Sequence, residues 1–269
     1  MLEQVWFACS RLKRKIACQG PGDVYVISYP KSGRTWLRAL IGEYFSLRYS
    51  LPRRVMLSRK IVPPQTELPK VRFSHDGAAM KSQTRYTHLS SDKEQYARNK
   101  VIILGRDVKD MLVSAYFQAT RRINVFEGDV SEFIATEEFG VLKVLTFYSI
   151  WLHNKAVPDD FLFIRYEDLH WSPRETLHSV LQFIGVKRIH EDLLDQSIVN
   201  CSFSTMKKGE AKDGYQKTML RPADAADQES FKVRKGKIGG YAEYLSQEDV
   251  AYIDAVLAEH GFDFADFKA

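Results

Sequence analysis

The stretch from Val24 to Phe45, VYVISYPKSGRTWLRALIGEYF, decides the fold of this chain. Its first four residues, Val24 to Ile27, form a short apolar run that predicts a buried strand. Apolar residues then recur at helical spacing from Trp36 to Phe45, and the turn between the two elements is basic and contains Gly33. Because backbone N–H groups in such a turn and at a helix N-terminus attract anions, the sequence predicts a phosphate-binding loop between a strand and a helix.

Three side chains of this turn strengthen the predicted anion site. Lys31 brings a positive charge, and Ser32 and Thr35 bring hydroxyl donors. The turn is not a Walker A loop, because there the lysine follows the second glycine, whereas Lys31 precedes the only glycine of this turn. A basic strand–turn–helix joint is also common as a purely structural connection, but the string PKSGxTW is rarer and favours phosphate binding.

The string YPKSGRTW, residues 29–36, resembles the 5′-phosphosulfate loop of the sulfotransferases that use 3′-phosphoadenosine-5′-phosphosulfate (PAPS), usually written YPKSGTTW. In this chain Arg34 stands where the family usually has threonine, so a backbone contact would survive but a hydroxyl contact would not. By its place in the loop, Trp36 would stack on the base. The resemblance implies that PAPS is bound here by Lys31, Ser32, Gly33, Arg34, Thr35 and Trp36.

A second motif follows another apolar run, Val101 to Leu104, which predicts a second buried strand. Arg106 comes directly after this strand, and Ser114 lies eight residues further along a predicted helix. Taken by themselves they are equally a capping arginine and a small packing residue. In the sulfotransferases an arginine and a serine at this spacing bind the 3′-phosphate of the nucleotide. An arginine suits that role because its guanidinium can donate two hydrogen bonds to one phosphate.

A third motif, Arg234-Lys235-Gly236, lies in a basic loop near the C-terminus. A charge run of this kind is usually a solvated surface, but the family has the same tripeptide over the 3′-phosphate. After it the family often has G-D-W-K-N, whereas residues 239–243 here read GGYAE. The dimer motif of cytosolic animal members is therefore not inferred for this chain, and the sequence makes no prediction of the oligomeric state.

Two weaker matches complete the predicted nucleotide pocket. A third apolar run, Phe161 to Ile164, is followed by Tyr166, and in the family the tyrosine of this Tyr-Glu-Asp string contacts adenine. Phe203 corresponds to a phenylalanine that also lines the adenine, although Cys201 replaces the usual threonine nearby. Without the resemblance, both aromatic residues would be interpreted as core. The matches run in the family's order over about residues 23–241.

His75 is the predicted general base. It ends a short strand-like segment that begins at Val71, and an ordinary histidine pKa near ~6.5 suits proton abstraction at neutral pH. The family's catalytic histidine has the same place between the two phosphate motifs, but Phe73 replaces the lysine that usually precedes it by two residues. His88 is a weaker candidate, and Asp76 is the alternative if the base is a carboxylate. Lys31 is predicted to stabilise the leaving phosphate, although it equally suits simple phosphate binding.

The composition limits the class of protein. The chain has 269 residues, of which 45% are hydrophobic and 27% are charged, as in an ordinary globular domain. A net charge of +5 suits a strongly anionic co-substrate but is too small to predict a nucleic-acid partner. Three widely spaced cysteines indicate a reducing compartment, and we predict a cytoplasmic location. No histidine or cysteine has the spacing of a zinc site, so no metal is predicted.

Alternating strands and helical patterns predict an α/β fold: a single domain with a central parallel sheet flanked by helices, of the sulfotransferase type related to P-loop nucleotide hydrolases. We predict an N-terminal helical extension over residues 1–22 and a sulfotransferase domain over 23–269. The apolar start of the N-terminal extension is too short for a signal sequence or a membrane span. A basic amphipathic helix over 3–17 would pack on the domain or contact a membrane surface.

Further segments predicted from the pattern are helices over Ser131–His153 and Gln247–His260, a mobile flap over Lys207–Lys232, and a loop near the acceptor site over Pro52–Pro69.

The preferred function is transfer of a sulfuryl group from PAPS to a hydroxyl or amine of a small-molecule, glycan or lipid acceptor. The alternatives are a P-loop kinase, which would need a Walker A lysine and an acidic magnesium ligand, and a non-catalytic nucleotide-binding protein of the same fold.

Overall fold

The structure is a computed structural model that describes residues 22–52, 57–58, 60–61, 68–211, 227–231 and 235–268. Its centre is a five-stranded sheet with the spatial order β2-β3-β1-β4-β5. Strands β1, β3, β4 and β5 run parallel, and the short edge strand β2 pairs antiparallel with β3. The predicted parallel sheet is therefore confirmed. The strands are β1 (Val24–Ser28), β2 (Lys60–Ile61), β3 (Val71–Ser74), β4 (Lys100–Gly105) and β5 (Asp160–Arg165).

Helices cover both faces of the sheet. In chain order they are α1 (Arg34–Tyr49), α2 (Val108–Arg121), α3 (Val130–Ala135), α4 (Val141–His153), α5 (Tyr166–Trp171), α6 (Pro173–Ile184), α7 (Glu191–Asn200), α8 (Phe203–Ala211) and α9 (Gln247–Glu259). Asp107 caps the N-terminus of helix α2, because its side chain accepts a hydrogen bond from the N–H of Asp110. Among the residues that the structure describes, no helix has both the length and the apolar character needed to cross a membrane.

Alternate residues of the strands point to two separate cores. Ile27, Val101 and Ile103 face the core that contains α2, α4 and α9. Val26 and Ile102 face the opposite core, against α1, α6 and α7. Both faces are buried because both are covered by helices, which explains why these strands appear in the sequence as continuous apolar runs rather than alternating ones.

The carboxyl ends of the parallel strands meet at one edge of the sheet. Strand β1 lies between β3 and β4, so the chain crosses to opposite sides of β1 and leaves a crevice beyond its carboxyl end. The loop at residues 29–33 follows β1, His75 follows β3, Arg106 follows β4 and Tyr166 follows β5. Four separate sequence motifs are therefore brought to the same edge by the topology alone.

Some predicted elements differ from those observed. The helix predicted over Ser131–His153 is two helices, α3 and α4, because the backbone is extended at Thr136. In the connection, Nζ of Lys143 donates to the carbonyl of Glu138 at 2.7 Å, which satisfies an acceptor that a continuous helix would have paired. The predicted helix at Gln247 is confirmed as α9.

Several predictions fall wholly or partly outside the described residues. They include the N-terminal helix over 3–17, Arg234 and most of the predicted flap, of which helix α8 covers the first residues. The predicted loop over Pro52–Pro69 contains the two residues of β2, a strand too short to be recognised from a periodic pattern.

Candidate active site

A single cavity of about 360 Å³ lies at the carboxyl edge of the sheet and gathers most of the predicted site residues. The loop after β1, the end of β3, the start of α2, the start of α5 and the segment after residue 235 all contribute to its wall. The predicted residues that line it are Lys31, Gly33, Arg34, Thr35, Trp36, His75, Arg106, Ser114, Tyr166, Phe203, Lys235 and Gly236.

The loop after β1 has the left-handed backbone that a phosphate-binding turn requires. Lys31 has a φ of 71° and Gly33 a φ of 91°, and α1 begins directly afterwards at Arg34. Nζ of Lys31 donates to Oε1 of Gln118 on α2 at 3.3 Å, so the ammonium group lies on the cavity side of the loop. The loop and the first turn of α1 therefore direct backbone N–H groups and one cation towards the same space.

Ser32 differs from the other residues of the loop. Its side chain is fully buried, and its hydroxyl donates to the carbonyl of Tyr29 at 2.9 Å and lies 3.0 Å from the hydroxyl of Tyr148. The hydroxyl thus points into the protein interior and stabilises the loop from beneath. What Ser32 can offer to an anion is its backbone N–H rather than the hydroxyl donor that the sequence suggested.

Arg106 connects three parts of the cavity wall. Its guanidinium donates to the carbonyl of Lys31 at 3.1 Å and to that of Lys237 at 3.4 Å. It also lies 4.4 Å from the centre of the Tyr166 ring. Arg106 is only 9% exposed. Such a buried guanidinium, already held in place by two carbonyls and an aromatic ring, is well suited to bind an anion because little side-chain freedom is lost on binding.

Asp110 holds the C-terminal part of the cavity against α2. Its two carboxylate oxygens accept hydrogen bonds from the N–H groups of Gly239 at 2.8 Å and Tyr241 at 2.9 Å, and one lies 3.7 Å from Arg106. The carboxylate thereby closes the basic loop over the cavity. This residue was not predicted from the sequence, although it lies only four residues after Arg106, in the first turn of α2.

Lys235 and Gly236 lie in this basic loop. Gly236 has a φ of 59°, and a Cβ atom built on it would lie 2.2 Å from Cδ2 of Phe203, so the ring of Phe203 packs directly on the glycine backbone. Nζ of Lys235 is paired with the carboxylate of Glu243. Hydrogen bonds from Lys235 and Lys237 lower the pKa of Glu243 to about 2.

Aromatic side chains form one wall of the cavity. The ring centre of Trp36 lies 5.7 Å from that of Tyr166 and 4.8 Å from that of His170, in both cases with the rings steeply inclined. The indole N–H of Trp36 donates to the carbonyl of Cys201 at 2.9 Å, which fixes the ring against the end of α7. A wall of aromatic side chains of this kind can bind a purine base.

His75 and Asp76 are neighbours in sequence but point in different directions. Nδ1 of His75 lies 2.8 Å from the carbonyl of Ser28, and the imidazole lines the cavity. Because a carbonyl can only accept, Nδ1 carries the proton and the lone pair of the neutral ring is on Nε2. Asp76 instead accepts from the hydroxyl of Tyr96 at 2.8 Å and pairs with Nζ of Lys93 at 2.8 Å in a buried ion pair.

The charge of the cavity wall is strongly positive. Among the described residues that line it, seven are lysine or arginine and one, Asp110, is acidic. The basic residues include Arg38, which is 2% exposed and whose guanidinium lies 4.4 Å from the ring centre of Phe73. This excess of positive charge fits a ligand with several negative charges. Within the described residues, no group of three or more histidine, cysteine or acidic side chains is arranged to hold a metal ion.

Arg38, Gln118 and His170 line the cavity although the sequence analysis did not select them. Each lies four residues from a selected residue in the same helix: Arg38 from Arg34, Gln118 from Ser114, and His170 from Tyr166. Helical spacing from the motif residues would therefore have found all three.

Comparison with known proteins identifies the family. The family model described as "Sulfotransferase domain" matches residues 21–264 of this chain. Cytosolic sulfotransferase 17 of Arabidopsis thaliana is 28% identical over 263 residues, which cover 89% of this chain and 74% of the plant protein. Flavonol 3-sulfotransferase of Flaveria bidentis is 28% identical over 261 residues, which cover 89% and 81% of the two chains.

The fold is also shared with solved structures. The crystal structure of mouse sulfotransferase SULT7A1 complexed with PAP has a TM-score of 0.63 and 19% identity, and the match covers 93% of this chain and 87% of the mouse chain. The chain thus belongs to the sulfotransferase family, and the resemblance to the PAPS-dependent sulfotransferases is confirmed. The fold predicted from the sequence is confirmed with it.

Proposed function

We propose that this protein transfers the sulfuryl group of PAPS to a hydroxyl or amine of a small-molecule acceptor, with His75 as the general base. The observation that carries the proposal is the hydrogen bond of 2.8 Å between Nδ1 of His75 and the carbonyl of Ser28. It places the lone pair of a neutral imidazole on Nε2 in a cavity whose wall also contains Lys31 and Arg106. A base, a cation and an anion-binding loop thus share one space.

In the proposed reaction the acceptor oxygen or nitrogen attacks sulfur while its proton moves to Nε2 of His75. The bond between sulfur and the bridging oxygen breaks, and its electron pair stays on the 5′-phosphate, which leaves as part of adenosine 3′,5′-bisphosphate (PAP). Asp76 is a poor alternative base, because its carboxylate is already paired with Lys93 and Tyr96. His88 is also disfavoured, because it is absent from the described wall of the cavity.

Lys31 is the group proposed to stabilise the leaving phosphate. Its ammonium group lies at the cavity side of the loop, where it donates a hydrogen bond to Oε1 of Gln118 at 3.3 Å. A lysine at this place in the cavity wall can stabilise the negative charge that develops on the leaving phosphate oxygen. In a loose transition state, this positioning and charge neutralisation supply most of the catalysis.

Nucleotide binding is assigned to the remaining motif residues. We propose that the backbone of residues 31–35 binds the 5′-phosphosulfate and that Arg106 and Ser114 bind the 3′-phosphate, with Arg234, Lys235 and Gly236 closing over it. Support comes from the shared cavity and from Arg106, which contacts the phosphate loop and the basic loop at once. Trp36, Tyr166 and Phe203 are assigned to the adenine on their place in the same wall.

For the acceptor and the cellular location, the relatives indicate the class. Three plant relatives are named for flavonols and others are named cytosolic sulfotransferases. We therefore propose a hydroxylated small molecule as the acceptor and the cytoplasm as the location.

The proposal is tested by titration calorimetry of the purified protein with PAP in the presence of EDTA, followed by transfer of labelled sulfate from PAPS to a panel of phenols and flavonols. Metal-independent binding and labelled product are the expected results. Binding without transfer to any acceptor would favour a non-catalytic nucleotide-binding protein. Transfer of phosphate from ATP that requires Mg²⁺, without use of PAPS, would instead favour the kinase alternative.

A further inference from the structure

His170 is a residue of the cavity wall to which neither the motifs nor the proposed reaction assigns a role. It lies on α5, four residues after Tyr166, so both side chains are on the same face of this helix. Its ring centre is 4.7 Å from that of Tyr166 and 4.8 Å from that of Trp36. Trp36, Tyr166 and His170 thus form a group of three rings. His170 follows strand β5, whereas His75 follows strand β3 on the other side of β1.

The imidazole of His170 has a buried polar atom that no described residue satisfies. Nε2 is shielded from solvent and has no hydrogen-bond partner among the residues that the structure describes. Buried polar atoms in native proteins are nearly always paired, so an orphaned one on a residue that lines a ligand cavity points to a partner supplied by the ligand. Burial, and to a lesser extent the nearby positive charge of Arg106, lower the pKa of His170. The ring is therefore neutral at physiological pH and retains one nitrogen that can accept a hydrogen bond.

The ring group identifies the part of the ligand that this nitrogen meets. A phosphate is the less suitable partner, because a neutral imidazole between two aromatic rings offers no charge to an anion, whereas Lys31 and Arg106 in the same cavity do. A planar heterocycle packs well against aromatic rings and carries hydrogen-bonding groups at its edge. The base of the nucleotide is the one part of PAPS that combines both properties.

We propose that Nε2 of His170 accepts a hydrogen bond from the 6-amino group of the adenine, so that His170 selects adenine among purine bases. This inference rests on the proposed function, because it requires PAPS to bind in this cavity. The chemistry predicts a definite preference. The inference includes the tautomer of the neutral ring, with the proton on Nδ1 and the lone pair on Nε2. In hypoxanthine a carbonyl oxygen replaces the amino group, so two acceptors would then face each other and Nε2 would stay unsatisfied.

The test compares the affinities of PAP and inosine 3′,5′-bisphosphate for the parent protein and for His170→Phe, measured by titration calorimetry. Phenylalanine keeps an aromatic ring between Trp36 and Tyr166 but has no nitrogen. We expect the affinity for PAP to fall about tenfold, which corresponds to one lost hydrogen bond, while that for the inosine compound changes less than twofold. His178→Phe, which removes an exposed histidine on α6, is the matched control and should leave both affinities unchanged.

Other outcomes separate this inference from the proposed function. Equal losses for both bisphosphates would overturn the inference, since they would show that His170 only packs the wall. Unchanged affinities would overturn it too, because His170 would then not contact the base. If the parent binds neither compound, the proposed function fails together with the inference. Should His170→Phe fold poorly by circular dichroism, His170→Gln serves instead: its amide oxygen can accept, so part of the preference for adenine should persist, and complete loss of that preference with intact folding would contradict the inference.

Discussion

The ring of Tyr166 occupies the space that a side chain at residue 33 would need. A Cβ atom built on Gly33 would lie 2.3 Å from Cδ2 of Tyr166, and Gly33 has a φ of 91°. Because residue 33 has no side chain, the loop after β1 can contact the start of α5, which follows β5. Strands β1 and β5 are not neighbours in the sheet, since β4 lies between them. The same ring of Tyr166 lies against the guanidinium of Arg106, so three motifs form one packed unit.

Replacement of Gly33 by alanine should therefore damage both the loop and the aromatic wall. We expect Gly33→Ala to lower the free energy of unfolding by about 1–3 kcal/mol, from backbone strain and displacement of Tyr166, and to weaken PAP binding at least about tenfold. Chemical denaturation and calorimetry measure the two effects. Gly22→Ala is the matched control, because Gly22 has a φ of 95° but open space around its Cβ position. Similar losses of PAP affinity in both variants would argue against the role of the Tyr166 contact.

Removal of the proposed base should affect turnover and spare nucleotide binding. We expect His75→Ala to reduce kcat about 10²–10⁴-fold, the usual contribution of general base catalysis, with the affinity for PAP within about threefold of the parent. Steady-state kinetics and calorimetry give the two values. His88→Ala, which removes an exposed histidine from the same part of the chain, should keep parental turnover. A His75 variant with parental kcat would exclude this residue from the mechanism.

Lys31 should act mainly in the transition state. In Lys31→Met the side chain stays long and unbranched but loses its charge, so we expect kcat to fall about 10²–10³-fold while the affinity for PAP falls much less. Pre-steady-state measurement of a single turnover would locate the loss in the chemical step. An exposed lysine on the connection after α6 supplies the control, Lys187→Met. Equal losses in affinity and in kcat/KM, with kcat unchanged, would show that Lys31 contributes ground-state binding only.

Arg106 should distinguish ligands with and without a 3′-phosphate. We expect Arg106→Ala to weaken PAP by about 10²-fold but to weaken adenosine 5′-phosphosulfate, which lacks the 3′-phosphate, by less than about fivefold. Competition calorimetry allows the weaker ligand to be measured. Arg174→Ala removes a solvent-exposed, ion-paired arginine on α6 and serves as the comparison. Matching losses for the two ligands would contradict the assignment of the 3′-phosphate.

The sequence predicted the parts of this molecule in which local pattern and function coincide. The phosphate loop, Arg106 and Tyr166 each follow an apolar run, and a buried parallel strand is recognisable from such a run because both of its faces are covered. Once the strands are parallel, their carboxyl ends meet, so His75 and Ser114 join the same cavity without any further assumption. The fold and the position of the site were therefore available from strand periodicity and motif order.

The features that escaped prediction depend on contacts between distant residues. The inward hydroxyl of Ser32 is explained by Tyr148, which lies 116 residues away, and the carboxylate of Asp110 binds N–H groups of residues 239 and 241. No local pattern encodes such pairings. Strand β2 was missed because two residues cannot show a period, and the predicted single helix did not include the extended backbone at Thr136 that separates α3 from α4.

Lys143 provides a prediction about stability that is independent of catalysis. It is buried on α4, and burial lowers its pKa from 10.5 to about 8. Between these two values the unfolded chain binds a proton that the folded protein has released, so the free energy of unfolding rises with pH in that window. We expect the free energy of unfolding of the parent to rise by on the order of 1 kcal/mol relative to that of Lys143→Met between pH 7.5 and 9.5. One unit of pKa difference corresponds to a change of this size.

The range from pH 7.5 to 9.5 ends below the pH at which ionisation of the buried tyrosines changes the free energy of unfolding. Tyr29 and Tyr148 have raised pKa values, mainly through burial, so they oppose the trend once unfolded tyrosines ionise near pH ~10. Comparison of two proteins that share these tyrosines cancels most of their contribution. Urea denaturation of the parent, Lys143→Met and the exposed control Lys187→Met at several pH values measures the effect. A constant difference between the parent and Lys143→Met across the range would show that Lys143 stays protonated in the folded protein, because only a lysine that is charged in both the folded and the unfolded state adds no pH dependence relative to methionine.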